Sequence, residues 1–280
     1  MNDPKIFFPS ENRRIESSSS ASDCKTIFET TGLTKFFGGV CAVNDLNLRI
    51  NEGEIVGLIG PNGAGKTTVF NLITGFLKPS KGLVVLNGEN LVGRKPYEVA
   101  QRGIARTFQI AKSFPQFTVL QNMNAASHLF CSMGFWQGIL RTPGYKAKEV
   151  SNTDQALKTL RLVGLTQWKD VVAATLPHAH QKLLGIAMAL ATGPKLLLLD
   201  EPLEGMSSEE VDRALDLMRT IRSYGVTILL IEHNMRAVMR ICERIVVISF
   251  GQEIARGTPD EVKRNEEVIK AYLGASENGE

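Results

Sequence analysis

The chain has 280 residues, 43% of them apolar and 22% charged, which is the balance of an ordinary folded protein with a sizeable core. A net charge of +3 is too small to point to nucleic acid, and the four scattered cysteines (Cys24, Cys41, Cys131, Cys242) form no C-x-x-C pair and read as reduced thiols. The longest apolar runs are strand-sized and fall far short of the ~20 residues a membrane-spanning helix needs, so any work at a membrane requires a partner.

Residues 1–26 carry the serine-rich run Ser17-Ser18-Ser19-Ser20 and one short apolar stretch, Ile6-Phe7-Phe8, and read as a disordered tail rather than a leader peptide. From Ile27 the pattern becomes strand-like, with a second alternating run over 42–50 and a turn at Asn51-Glu52-Gly53. The apolar run Ile55-Val56-Gly57-Leu58-Ile59 predicts a buried strand, and Lys66 to Thr74 predicts a helix stopped at Gly75.

Between them lies Gly60-Pro61-Asn62-Gly63-Ala64-Gly65-Lys66-Thr67, which fits the G-x-x-x-x-G-K-[ST] pattern of a phosphate-cradling loop in the right strand-to-helix setting. Glycines let backbone N–H groups curl around phosphates, and the helix N-terminus adds positive potential. Lys66 is placed to reach the β- and γ-phosphates of a nucleotide, the Thr67 hydroxyl to ligate Mg²⁺, and Thr68 follows in the first helical turn.

A short strand over 82–88 comes next, and from Tyr97 to Thr192 the texture turns helical, with helices expected over 119–130, 151–163 and 180–191 and a loop-rich insertion over 131–148. After Gly193-Pro194 strands and helices alternate again. Leu196-Leu197-Leu198-Leu199-Asp200-Glu201 reads as a buried strand delivering two acids at its C-terminal end, where open α/β sheets bind ligands. Asp200 is placed to hold Mg²⁺ opposite Thr67, and Glu201 to orient and deprotonate an attacking water. Ser207 to Glu210 has capping-box spacing, 226–231 and 245–249 are further buried strands, and Thr258-Pro259-Asp260-Glu261 opens a last helix. His233 follows the strand before it and can face the γ-phosphate. The expected fold is α/β: a RecA-like core over 27–96 and 193–280 with an antiparallel β portion, and an inserted helical subdomain over 97–192.

These elements in this order resemble the ATP-binding-cassette (ABC) ATPases, and the likeness runs from about Ile27 to Gly274. Gly60 to Thr67 matches the family's Walker A loop, Leu196 to Asp200 its Walker B strand, Glu201 its catalytic glutamate and His233 its switch histidine. The resemblance implies that Gln109 touches the nucleotide and its metal ion, and that Phe37 stacks on adenine. More narrowly, Gly103 to Gln109, Phe117 to Asn122, the insertion at Leu140-Arg141-Thr142-Pro143 and the ending Val268 to Gly274 are similar to the larger ATPase subunit of branched-chain (hydrophobic) amino-acid importers.

The signature motif, Leu-Ser-Gly-Gly-Gln in most of the family, stands here as Leu176-Pro177-His178-Ala179-His180. In the family this segment faces the ATP held by the partner subunit. A methyl at Ala179 disfavours any backbone needing positive φ, and Pro177 brings neither a hydroxyl nor an N–H. The resemblance implies ATP and Mg²⁺ as ligands, two transmembrane permease subunits, a second and different ATPase subunit, an indirect link to a periplasmic solute-binding protein, no nucleic acid, and a peripheral seat on the cytoplasmic face of the inner membrane. The degenerate signature leaves open a weakly hydrolysing regulatory subunit, and a soluble non-transport cassette is a further alternative.

Overall fold

The computed structural model describes residues 25–107, 114–128 and 143–273. Two sheets form the frame. The larger has six strands: β4 (Ile55–Ile59), β7 (Ile104–Arg106), β8 (Leu196–Asp200), β9 (Thr227–Ile231), β10 (Arg244–Ser249) and β11 (Gln252–Gly257), in the order β11-β10-β4-β9-β8-β7. All neighbours in it are parallel except β10 and β11. The smaller sheet is antiparallel and joins β1 (Thr26–Phe37), β2 (Val40–Leu46), β3 (Arg49–Asn51), β5 (Lys81–Leu86) and β6 (Glu89–Asn90).

The parallel strands read as unbroken apolar runs because both their faces are covered, and every residue of β4, β8 and β9 is buried. Side chains alternate between the faces. Leu196 and Leu198 pack with Phe28, Leu46 and Phe70 toward the antiparallel sheet and the helix α1 (Lys66–Ile73). Leu197 and Leu199 point the other way, into a core shared with Met123, Leu160, Leu184 and Met218. Those four come from α3 (Val119–His128), α4 (Pro143–Leu162), α5 (His178–Leu190) and α6 (Ser208–Ser223). Three shorter helices, α7 (Met235–Ile241), α8 (Pro259–Arg264) and α9 (Glu266–Leu273), follow β9 and β11, and α2 (Pro96–Gln101) precedes β7.

Three expectations need adjusting. β7 lies inside the stretch read as helical yet pairs with β8 in the core sheet, Ile104 opposite Leu196. Three residues, Ile-Ala-Arg, carry no detectable period, and only the neighbouring strand gives them their conformation. The strand β1 begins at Thr26, within the stretch read as a tail, while 1–24 falls outside the described residues. The insertion read over 131–148 is helical from Pro143 onward, and its earlier part also lies outside them.

The capping boxes form as the spacing predicts. Ser207 Oγ accepts from the Glu210 N–H while the Glu210 carboxylate accepts from the Ser207 N–H at 2.8 Å, and Thr258 and Glu261 repeat the arrangement. Ser207→Ala is therefore expected to cost about 1 kcal/mol, seen as a drop of about 2–4 °C in the thermal midpoint.

Candidate nucleotide-hydrolysis site

The loop between β4 and α1 has the backbone that the motif demands. Gly60, Gly63 and Gly65 all have positive φ. A Cβ on Gly60 would lie 2.0 Å from the Ile248 carbonyl oxygen, and one on Gly65 would lie 2.4 Å from that of Ala42, so neither position admits a side chain. Pro61 is half-buried, Asn62 and Gly63 are exposed, and Ala64 is buried, which leaves the outer curve of the loop open to a ligand. No acidic residue occupies the first turn of α1, so its N-terminal potential is uncancelled. Thr67 is exposed and Thr68 half-buried in that same turn.

Lys66 is buried, and its ammonium donates to the Gly60 carbonyl at 2.7 Å and the Pro61 carbonyl at 2.9 Å. Burial holds its pKa below the ordinary lysine value, opposed by the negative charges of Glu201 and Asp200. Tyr272, on α9, hydrogen-bonds the backbone of Gly60, and burial pushes its phenol up to about 12.

Asp200 ends β8. Its Oδ2 pairs with the Arg106 guanidinium at 2.7 Å, both side chains being almost wholly buried, and Arg106 also donates to Asn71 Oδ1 at 2.6 Å and lies over the Phe70 ring. The second carboxylate oxygen, Oδ1, is buried without a hydrogen-bond partner among the described residues. A buried carboxylate oxygen left bare calls for a ligand that the protein does not itself supply.

Glu201, next in the chain, has φ +48. A left-handed glutamate is strained, and the turn it makes aims its carboxylate at His233, whose Nε2 lies 2.7 Å from Oε1. The glutamate carboxyl is mostly covered, at 13% exposure, while the imidazole is open at 44%. Behind them sits Glu232, 3% exposed, accepting from the Leu203 N–H at 2.7 Å and from the His233 N–H at 3.0 Å. Burial raises the Glu232 pKa, and these N–H donors and Lys182 oppose that rise.

Phe37 stands at the tip of the β1–β2 hairpin, about half exposed, with the Lys35 ammonium 5.1 Å from its ring centroid. The hairpin reaches the phosphate loop through Ala42, the residue against which Gly65 packs. Gln109 lies outside the described residues.

The signature-like segment sits at the start of α5. Leu176 is buried, Pro177 is the N-cap with φ −54, His178 is exposed, and His180 packs its ring against Trp168 with centroids 4.9 Å apart. Ala179 is 6% exposed and sits in ordinary helical geometry. Its methyl is turned into the protein, and its backbone makes no demand that a glycine alone could meet, so the objection raised from sequence does not arise within this chain. Among the described residues no hydrogen bond joins 176–180 to the phosphate loop.

Four residues that the sequence reading left without a role belong to this site: Arg106 on Asp200, Lys182 and Glu232 around Glu201, and Tyr272 on Gly60. Arg106, Lys182 and Tyr272 are brought in from distant elements, and Glu232, although next to His233 in the chain, reaches the turn after β8 only through the fold.

Comparison with known proteins matches this geometry to a family. The family described as "ABC transporter" matches residues 43–204, and that described as "Branched-chain amino acid ATP-binding cassette transporter" matches residues 252–278. The chain is similar to the high-affinity branched-chain amino acid transport ATP-binding protein BraF of Pseudomonas aeruginosa, at 43% identity covering 89% of this chain and 98% of the relative. It is 41% identical to LivG of Escherichia coli, of the same printed function, covering 89% and 98%. Among solved structures, a nucleotide-free ATP-binding cassette from an ABC transporter superposes with a TM-score of 0.78 at 29% identity, covering 88% of this chain and 98% of that one. Another cassette in its ADP conformation gives 0.77 at 28% identity, covering 89% and 99%. With a phosphate loop, an aspartate that has one bare oxygen and a glutamate–histidine pair assembled at the C-terminal ends of the adjacent strands β4, β8 and β9, the chain belongs to the ABC transporter family, as one of its ATP-binding cassettes.

Proposed function

We propose that this cassette hydrolyses ATP to drive the uptake of branched-chain or related hydrophobic amino acids. The observation that carries the chemistry is the Glu201–His233 pair at 2.7 Å, held one residue beyond Asp200 at the end of β8. Glu201 takes the proton of the attacking water, and His233 orients the carboxylate and faces the transferring phosphoryl group. Lys66 exchanges the Gly60 and Pro61 carbonyls for phosphate oxygens, while loop and α1 N–H groups hold the rest of the chain of phosphates. Phe37 supplies an aromatic face for adenine.

The residues also suit Mg²⁺. The unpartnered Oδ1 of Asp200 and the exposed hydroxyl of Thr67 are hard oxygen donors of the kind this ion takes, and Gln109 is a third candidate. Among the described residues no group of three or more His, Cys, Asp or Glu side chains is placed to hold a metal ion. When bound, the ion neutralises charge on the β- and γ-phosphates.

No helix of the described residues is long and apolar enough to cross a membrane. The relatives' printed role in amino acid transport supports a reading with two permease subunits that seat the cassette on the cytoplasmic face of the inner membrane, a periplasmic solute-binding protein that reaches it indirectly, and no nucleic acid. A second, different ATPase subunit completes the dimer. Pro177 and His178, in place of the family's serine and glycine, support an asymmetric pair in which the partner's ATP meets the weaker signature.

Reconstituting the chain with its partner ATPase, permeases and binding protein in vesicles tests the solute. ATP-dependent uptake of labelled leucine, isoleucine or valine, with none of urea or short amides, is the expected result. Uptake of urea or an amide in place of the amino acids would overturn the solute assignment and leave the ATPase reading intact.

A further inference from the structure

The signature helix does something for this chain's own site as well. Lys182 lies on α5, two residues past His180, with its side chain only 8% exposed. Its ammonium donates to the backbone carbonyl of Glu201 at 2.7 Å and pairs with Glu204 at 3.2 Å. Glu201 is the residue with φ +48, a conformation that a non-glycine residue keeps only when its surroundings hold it. Two further contacts hold the same residue: the Glu201 N–H donates to the Ile231 carbonyl at 2.9 Å, and the Glu204 N–H donates to the Glu201 carbonyl at 3.4 Å. Both are backbone contacts that no side chain controls. The charge-assisted bond from Lys182 is the one a side chain supplies, and such bonds are among the stronger ones.

Glu232 completes the arrangement from below. One of its carboxylate oxygens accepts from Leu203 in the turn after β8, and the other accepts from His233 and Asn234 in the turn after β9. Lys182 acts on Glu232 electrostatically across this space. A buried ammonium from the signature helix and the buried Glu232 carboxyl just past β9 thus hold the two turns that present Glu201 and His233 to each other.

We propose that Lys182 is a positioning residue for hydrolysis, fixing the left-handed turn at Glu201 and linking the signature helix to this chain's own hydrolytic carboxylate. It rests on the reading of Glu201 as the working base. In the family the same helix faces the ATP of the partner subunit. Lys182 therefore gives α5 two outputs, one across the dimer and one into its own subunit, and the second survives the loss of the usual signature residues.

The test uses the purified chain mixed with its partner ATPase, comparing Lys182→Met, Lys182→Arg and Glu201→Gln. Lys182→Met is expected to lower kcat roughly 10- to 100-fold, with KM for ATP and the thermal midpoint near those of the wild type. Lys182→Arg, which keeps a charged donor, should recover most of the rate. A packing role alone would instead lower the midpoint and raise KM, with no rescue by arginine, and that pattern overturns the proposal. So does a Lys182→Met protein that turns over ATP as the wild type does. Should Lys182→Met not fold, Lys182→Ala also removes the donor to the Glu201 carbonyl, and a wild-type rate in that variant has the same meaning. Glu201→Gln separates the two layers: turnover surviving that change sinks the reading of Glu201, whereas turnover lost there and unaffected at Lys182 sinks the present proposal alone.

Discussion

Glu201→Gln is expected to lower ATP turnover of the chain paired with its partner ATPase by about 10²–10⁴-fold, the usual worth of a positioned general base. The amide is nearly isosteric and can still hydrogen-bond to His233, so the turn at φ +48 and the 2.7 Å contact have no steric reason to change. What disappears is the capacity to accept a proton from water. ATP binding should persist, since Lys66 and the phosphate loop are untouched, and a fluorescent ATP analogue would report it. The comparison with the matching change in the partner subunit decides the asymmetry. Turnover abolished only by the partner's change would make this chain a nucleotide-binding regulator.

Lys66→Met is expected to abolish turnover by about 10²-fold or more, as removal of a preorganised charge on the transferring group does, and to weaken ATP binding with it. Its effect on stability should run opposite to that of most buried substitutions. The folded-state pKa of Lys66 is depressed by burial, so the contribution of this group is present above its unfolded value and is lost as pH falls through the folded one. In the nucleotide-free protein the charged ammonium is thus a cost at pH values below the folded pKa. The variant should unfold no earlier than the wild type there, and the wild type should gain on it as the pH is raised into the alkaline range. Thermal midpoints of both proteins across that range, without nucleotide, measure the difference. A variant markedly less stable at every pH would mean that the two carbonyl contacts of Lys66 outweigh its burial.

The parts of this molecule legible in the sequence are those that local chemistry dictates. The phosphate loop is one, because three glycines are required by close backbone approach and positive φ within six residues of chain. The Asp200-Glu201 pair is another, because a short wholly apolar run between Gly193-Pro194 and two acids reads as a strand covered on both faces, with the acids at its C-terminal end. The two capping boxes follow from spacing in the same way. What was not legible depends on elements far apart in sequence. β7 is a strand because β8 lies beside it, and no pattern within Ile104-Ala105-Arg106 says so. Arg106 reaches Asp200, and Lys182 reaches Glu201, only once the sheet and α5 are in place. The facing of Ala179 was not legible for a related reason: which side of a helix a methyl occupies is decided by what α5 packs against, here the core that holds Leu184 and Ala187.

The order of strands in the larger sheet bears on how such a chain is made. β4, which carries the phosphate loop, has β10 on one side and β9 on the other, with Gly57 opposite Ile245 and Leu230. Gly60 is pinned by Ile248 and touched by Tyr272. Every one of these neighbours belongs to the last quarter of the chain. On a ribosome the loop emerges early, but its strand has two unpaired edges until that last quarter follows. The half-made protein thus exposes a short apolar strand with open hydrogen-bonding edges, the form of chain most prone to pairing with the wrong partner. The phosphate loop is therefore expected to hold nucleotide only after β9 and β10 have paired with β4. Truncations before Tyr272 should show this as loss of nucleotide-dependent protection, long before they touch a residue that contacts phosphate.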